Sequence, residues 1–513
     1  MSIVLNKFVL KGNKGKMEKI QKIFKPKYIH IAVIILGIIF IMLPVFNGNV
    51  WFDESYSVAM ARQNLGDIWN IGGHDVHPVL YYWFLRVVYL ITGGPIIAYK
   101  IFSAIPIAIM IILGFTHIRK DFGEKAGIIF SFLCATLPEM AYYAQEVRMY
   151  SWAILSVTVL AIYAWRLLKK DSVKDWIIFG ISSLISIYLH YYGLMAAGLI
   201  NVALLVYLII KKRKRGLIYI ISFGIIQAIA YIPWMMALLS QMGHVSNGFW
   251  IGFTWPKTLM ELLGCQLAGY IRTTEVPELI APTIFAVELY AYTFYKAYKL
   301  YKEKQDLKPF CFSAGMYLAV ILAAIIITKI MKQSILYYRY LFVITGLYIF
   351  AITYILSKEK NKIAIFTILA VIAGLGLYNN IGLIKDNYDS SNNKPLQYMA
   401  ENIKKEDIVV YTDCGVGSVA AVHNIEPQVY FLNEDNWGVQ EAYKCFGPNY
   451  ETVINREFHE NAPDRIWVID NKDGSASKDL FGDETKYKKV SEEIFETKYH
   501  NYAWKITLIE KIK

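Results

Sequence analysis

The run from Tyr28 to Phe46 reads YIHIAVIILGIIFIMLPVF and is followed at once by Asn47-Gly48-Asn49-Val50-Trp51-Phe52-Asp53-Glu54. Its apolar length is that of a helix crossing hydrocarbon, and no small-residue cleavage site follows it, so a retained membrane span is expected rather than a cleaved signal peptide. A basic arm carrying Lys7, Lys11, Lys14, Lys16, Lys19, Lys22, Lys25 and Lys27 precedes it. Comparable spans of about 17 to 22 residues recur through the first three quarters of the chain. They begin near Tyr28, Ile96, Ala126, Met149, Asp175, Tyr192, Leu217, Leu279, Phe310, Tyr340 and Ile363, about eleven in all. Lipid offers the backbone no hydrogen-bond partner, and runs this continuous do not alternate as barrel strands do, so the spans are read as helices.

Composition agrees. Of the 513 residues 56% are hydrophobic and 15% aromatic, with a mean hydropathy of +0.36, more apolar than an ordinary soluble enzyme. The formal net charge of +12 does not form the single basic patch that nucleic acid requires; it is divided among short clusters between the spans. These are the N-terminal arm, Arg119/Lys120/Lys125, Arg166/Lys169/Lys170/Lys174, Lys211 to Arg215, Lys296 to Lys308, and Lys358/Lys360/Lys362. Every second loop is basic, and basic loops stay in the cytoplasm. The others are therefore expected to face outward: Asn47 to Pro95, Glu139 to Arg148, the surroundings of His190, Gln241 to Glu278, Lys329 to Arg339, and the tail. A multi-pass cell-membrane protein with a cytoplasmic N-terminus follows, with membrane lipids as partners and no nucleic acid.

The tail changes character. Strand-length apolar stretches at Ile408 to Tyr411 and Arg465 to Ile469, and the turn Lys472-Asp473-Gly474, predict a small α/β domain. Its excess of acids suits an outward location. The expected organisation is a cytoplasmic arm over 1–27, a transmembrane catalytic domain over 28–384 with an outer loop at 47–95, and an extracytoplasmic α/β domain over 385–513. Cys134, Cys265, Cys311, Cys414 and Cys445 show no CxxC spacing, hence no zinc or thioredoxin-type signature; Cys414 and Cys445 are a conceivable pair.

Candidate chemistry collects at the outer boundaries. Asp53 and Glu54 are adjacent carboxylates among aromatic residues beside the membrane, where ionisable groups are costly. Asp53 is suited to take a proton from an attacking hydroxyl, or else to cap the following helix with Glu54 in its first turn. In Gln145-Glu146-Val147-Arg148-Met149-Tyr150, at the start of a span, Glu146 and Tyr150 lie one helical turn apart, and Arg148 is suited to a phosphate or to an ion pair between spans. Arg339, within Tyr337-Tyr338-Arg339-Tyr340, departs from the positive-inside tendency; it is suited to a phosphate, or to snorkelling towards headgroups. His190 is an interfacial packing residue or a ligand. His74, Asp75 and His77 are weak candidates for a metal.

Together, Asp53-Glu54, His77-Pro78-Val79-Leu80-Tyr81-Tyr82, Gln145 to Tyr150 and Tyr338-Arg339-Tyr340 resemble the protein mannosyltransferase-like branch of the glycosyltransferase C superfamily, to which the aminoarabinose-to-lipid A transferases are distant relatives. The resemblance covers roughly Tyr28 to Tyr378. It implies a mainly α, polytopic fold, a polyprenyl-phosphate sugar donor, transfer on the outer face to a protein, lipid or polysaccharide acceptor, and inversion at the anomeric carbon. It implies Asp53 as general base, Glu54 assisting, Glu146 as second acid, and His77, Arg148, Tyr338, Arg339, Tyr82 and His190 around donor phosphate and substrate. His77 stands where aminoarabinose transferases use a lysine. Some relatives need a divalent cation; without a clear ligand set, metal independence is expected. The alternatives are a transporter or lipid flippase, which would place charges at mid-membrane in paired halves, and a non-catalytic scaffold.

Overall fold

The computed structural model describes residues 26–246, 250–269, 276–412, 414–423, 429–431, 444–446 and 463–512. The basic arm before Pro26, Asp413 and the Cys414 side chain lie outside them. Cys445 carries a free, buried thiol.

A helix begins within three residues of every expected span start. In chain order these are α1 (Pro26–Met42), α5 (Ile96–Leu113), α6 (Glu124–Thr136), α8 (Tyr150–Lys169), α9 (Val173–Leu189), α10 (Tyr191–Ile210), α11 (Lys214–Ser246), α13 (Val276–Lys302), α14 (Lys308–Met331), α15 (Tyr338–Lys358) and α16 (Lys362–Asn387). Among the described residues 7 helices are long and apolar enough to cross a membrane outright, or 8 with the bent pair formed by α6 and α7 (Pro138–Gln145). The 60° bend falls at Leu137-Pro138, where proline tolerates the first turn of a helix but not its interior. The outer loop at 47–95 is itself helical, as α2 (Phe52–Arg62), α3 (Leu65–Gly72) and α4 (Leu80–Thr92); α12 (Lys257–Ala268) lies in another loop.

Helices bearing the candidate residues are the most enclosed. In α15 83% of the apolar window is buried and in α8 72%, against 17% for α11. Gly346 permits the close crossing of the first two, because a Cβ there would stand 1.8 Å from Thr158 Oγ1. The basic loops meet at one end: Lys125 donates to the Glu359 carbonyl, Arg166 pairs with Asp121, Arg213 with Asp171 and Lys296 with Glu359. Helices α5, α8, α10 and α15 all run from the candidate motifs to that end, as the alternation of charge predicts.

After α17 (Lys394–Asn402), the tail forms a five-stranded mixed sheet in the order β2-β1-β3-β5-β4, with β1 (Ile408–Tyr411), α18 (Cys414–Val422), β2 (Val429–Phe431), β3 (Arg465–Asn471), α19 (Ala476–Phe481), β4 (Tyr487–Glu496) and β5 (Ala503–Lys511). Alternation along the strands sorts its two faces. Val409, Tyr411, Trp467, Ile469 and Ile506 join the core of the helical body, while Val410, Ile466, Val468 and Ile509 pack beneath Phe481 and Tyr487. The sheet is thereby fused to the membrane part through apolar packing.

Candidate active site

Trp51 precedes α2, and Glu54, in the first turn, accepts the Trp51 N–H at 3.1 Å. Asp53 therefore does not cap the helix. Its Oδ2 accepts a 2.7 Å hydrogen bond from Arg339 Nη1 at the start of α15, with the carboxylate 23% exposed and the arginine 11%. The guanidinium also lies over the rings of Trp51, Tyr337 and Tyr150, which hold its plane.

Arg148 reaches the same spot from the turn between α7 and α8. Its Nη1 lies 3.3 Å from the Asp53 carbonyl, 3.4 Å from Ser57 Oγ and 3.2 Å from Tyr82 OH, and Tyr82 donates to Asp75 Oδ2 at 2.9 Å. His77 and His190 stand with ring centroids 5.2 Å apart, both against Tyr340, and His190 Nδ1 accepts the Tyr192 N–H at the start of α10. Asp53, Tyr82, His77, Glu146, Arg148, His190 and Arg339 are thus gathered into one cluster from five separate segments. Tyr338 packs its ring against Tyr337, which in turn meets Tyr340 and the Arg339 guanidinium.

Several of these groups are buried with polar atoms unsatisfied among the described residues: both Glu146 oxygens, His77 Nδ1, His190 Nε2, and Nε of Arg148 and Arg339. Folded proteins rarely leave such atoms orphaned without a reason. Burial foremost lifts the Glu146 carboxyl to about 7, against the pull of Arg339. Burial, then the Arg148 charge, pushes His77 well down and His190 to about 3. Both shifts favour the neutral imidazole, which can offer a hydrogen bond but little charge. Beside the histidines opens an apolar cavity of about 190 Å³, bounded by Met195, Leu238, Met242, Ile327 and Ile335.

Two expectations need correction. Glu146 and Tyr150 do not share a helical turn: α7 ends at Gln145, Glu146 is extended (φ −76°, ψ 127°) and α8 starts only at Tyr150, so the carboxylate enters the cluster from a turn. Glu54 faces away from the open side. It is fully buried, and its oxygens accept from Val147 N (2.8 Å), Lys100 Nζ (3.5 Å) and Tyr499 OH (2.7 Å) as well as Trp51 N. Its acceptors are thus taken up by groups of the fold. Lys100, unforeseen from sequence, was signalled only as the one charge within an otherwise apolar span.

His74, Asp75 and His77 diverge, with His74 Nδ1 on the Asn70 carbonyl. Among the described residues no three His, Cys, Asp or Glu side chains are grouped to hold a metal.

The model of the dolichyl-phosphate-mannose-protein mannosyltransferase family matches residues 76–237, a stretch that includes His77, Tyr82, Glu146, Arg148 and His190 but not Asp53 or Arg339. No curated protein matches the chain. ArnT from Cupriavidus metallidurans in the apo state aligns with a TM-score of 0.60 at 10% identity, covering 93% of this chain and 97% of that one. ArnT bound to undecaprenyl phosphate aligns with a TM-score of 0.57, at the same identity and coverage. At that identity the likeness is one of fold. Fold and apolar helices define a multi-pass membrane protein whose build is similar to that of ArnT. Within that class, the chain is similar to the protein mannosyltransferases and aminoarabinose transferases.

Proposed function

We propose that the protein is a membrane glycosyltransferase that moves a sugar from a polyprenyl-phosphate donor to a protein, lipid or polymer acceptor of the envelope, on the outer face and with inversion. The observation that carries this reading is the Asp53–Arg339 contact, part-exposed, beside a buried cluster in which, among the described residues, both Glu146 oxygens, His77 Nδ1, His190 Nε2 and Arg148 Nε have no hydrogen-bond partner. The family match and the ArnT fold support the class of reaction, and the undecaprenyl phosphate held by one ArnT structure supports the kind of donor.

The acceptor hydroxyl attacks the anomeric carbon as Asp53 takes its proton. The bond from that carbon to the phosphate oxygen breaks, and polyprenyl phosphate leaves with the bonding electrons. A phosphate monoester, with a second pKa of roughly 6, needs positive charge more than a proton. Arg339 and Arg148 supply that charge, and neutral His77 and Tyr82 supply hydrogen bonds. Arriving phosphate competes with Asp53 for Arg339, so donor binding frees the carboxylate for its work as base. The apolar cavity beside His77 and His190 takes the first isoprene units.

The same reading divides the chain into a cytoplasmic arm (1–27), a transmembrane catalytic domain (28–384) with its outer loop at 47–95, and an outward α/β domain (385–513). The gathering of the basic loops at the end opposite the cluster supports this orientation. Asp53→Asn should lower transfer from a labelled polyprenyl-phosphate sugar by roughly 100- to 10,000-fold with an unchanged melting temperature; turnover equal to wild type would sink the assignment.

A further inference from the structure

The turn between β4 and β5 reaches across the chain to the start of α2. Tyr499 OH donates to Glu54 Oε2 at 2.7 Å and accepts from Lys100 Nζ at 3.0 Å, and both Tyr499 and Glu54 are buried. The next residue, His500, lays its ring flat on Trp51, with centroids 4.6 Å apart and planes 6° from parallel. The Trp51 ring also meets the Arg339 guanidinium, 4.8 Å from its centroid, and Arg339 holds Asp53. Two residues on, Tyr502 OH accepts the Phe52 N–H at 2.9 Å.

Nothing about this turn is conformationally easy. His500 and Asn501 have φ of 55° and 50°, a left-handed region that residues other than glycine rarely adopt. The turn is held there by Asn392, whose Oδ1 accepts the N–H groups of both Lys498 and Tyr499. Surface connections seldom combine two such residues with a buried tyrosine hydroxyl joined to a buried lysine–glutamate pair. What the arrangement secures is the residues on either side of Asp53: Glu54 through Tyr499, and Trp51 through His500.

We propose that the β4–β5 turn of the C-terminal domain is a positioning element of the active site, in which Tyr499 and His500 set the place of the Asp53 carboxylate through Glu54 and Trp51. The inference rests on Asp53 acting as the base. Neither Tyr499 nor His500 touches the reacting atoms; they act by fixing the first turn of α2 and the face of Arg339. Turnover therefore depends on the docked tail domain, and a shift of Asp53 by about 1 Å is enough to cost roughly 100-fold in rate.

The test uses the full chain in lipid nanodiscs with a labelled polyprenyl-phosphate sugar. Tyr499→Phe keeps the ring and removes the hydroxyl; we expect kcat to fall roughly 10- to 100-fold while KM for the donor stays within about twofold and the melting temperature moves little. His500→Ala should behave similarly and His500→Phe, which keeps the stack, should recover most of the turnover. On an Asp53→Asn background Tyr499→Phe should cost nothing more, because there is no base left to misplace. Unchanged kcat in Tyr499→Phe, a rise in KM matching any fall in kcat, or an equal further loss on the Asp53→Asn background would each overturn the proposal while leaving the glycosyltransferase reading intact. Absence of turnover in the wild-type protein would instead remove that reading, and this one with it.

Discussion

Asp407 in the tail domain and Glu146 in the helical body are both carboxylates with almost no exposed surface, 1% and 2% respectively, yet they are served in opposite ways. Asp407 accepts from Arg465 Nε at 2.8 Å and Nη2 at 3.4 Å, from Trp467 Nε1 at 2.8 Å and from Lys404 N at 3.0 Å. Burial alone would raise it, but Arg465 and the other donors prevail and keep it below the ordinary carboxylate range. Glu146 has no hydrogen-bond donor on either oxygen among the described residues and rises to about 7. One acid is saturated by its own fold, whereas the other stands beside Arg148 and Arg339 without a hydrogen bond to either oxygen among the described residues. On the proposed reading, the buried carboxylate with incomplete bonding is the one that serves the reaction.

Three measurements sharpen or break that contrast. The largest effect is expected at Arg339: Arg339→Ala should lower transfer by roughly 100- to 1,000-fold, the usual loss when a charge-stabilising group is removed. A fall confined to protein yield would assign the residue to the scaffold. Next is Glu146→Gln, read as stability against pH. Below the ordinary 4.5 the carboxyl is protonated in folded and unfolded chains alike, and substitution changes nothing. As pH rises towards 7 only the unfolded chain ionises, so wild type loses stability and the glutamine form does not; above 7 the gap is constant, at up to about 3 kcal/mol. Melting curves in detergent from pH 4 to 8 check this, and a gap independent of pH would contradict the raised value. The smallest effect is at Asp407. Asp407→Asn should cost about 2 kcal/mol, uniformly between pH 5 and 8, because stabilisation by a depressed carboxylate disappears only on acidification below the ordinary carboxylate range. Specific activity of the remaining folded protein should hold.

Local patterns carried much of this structure. Apolar runs and alternating basic loops located the helix starts and the gathering of the basic loops at one end, since span length and charge are properties of contiguous sequence. Asp53, His77, Glu146, Arg148, His190 and Arg339 were legible because each sits at a span boundary where a polar or charged group is out of place. The role of Glu54 was not, since its partners Lys100 and Tyr499 lie 46 and 445 positions away and no local pattern joins them. The extended backbone at Glu146 was equally hidden: helical spacing to Tyr150 suggested a shared face, while Pro138 had already redirected the chain. In the tail, strand stretches and the turn at Gly474 could be read, but sheet order could not, because placing β1 between β2 and β3 depends on contacts between strands far apart in sequence rather than on neighbours.

The long helix α11 closes the apolar cavity with Leu238, Met242 and its neighbours, and it turns the smaller part of its surface inward. Its ties to the rest include Gln241, which donates to the Gly72 and Gly73 carbonyls at 3.2 Å. The chamber wall is thus shared with the surrounding hydrocarbon, like a partition rather than a foundation. On the proposed reading, a prenyl tail moving across it would exchange one oily environment for another and avoid the roughly 0.8 kcal/mol that each methylene costs on entering water. The same reading would let spent carrier depart sideways into the bilayer, without an aqueous route having to open.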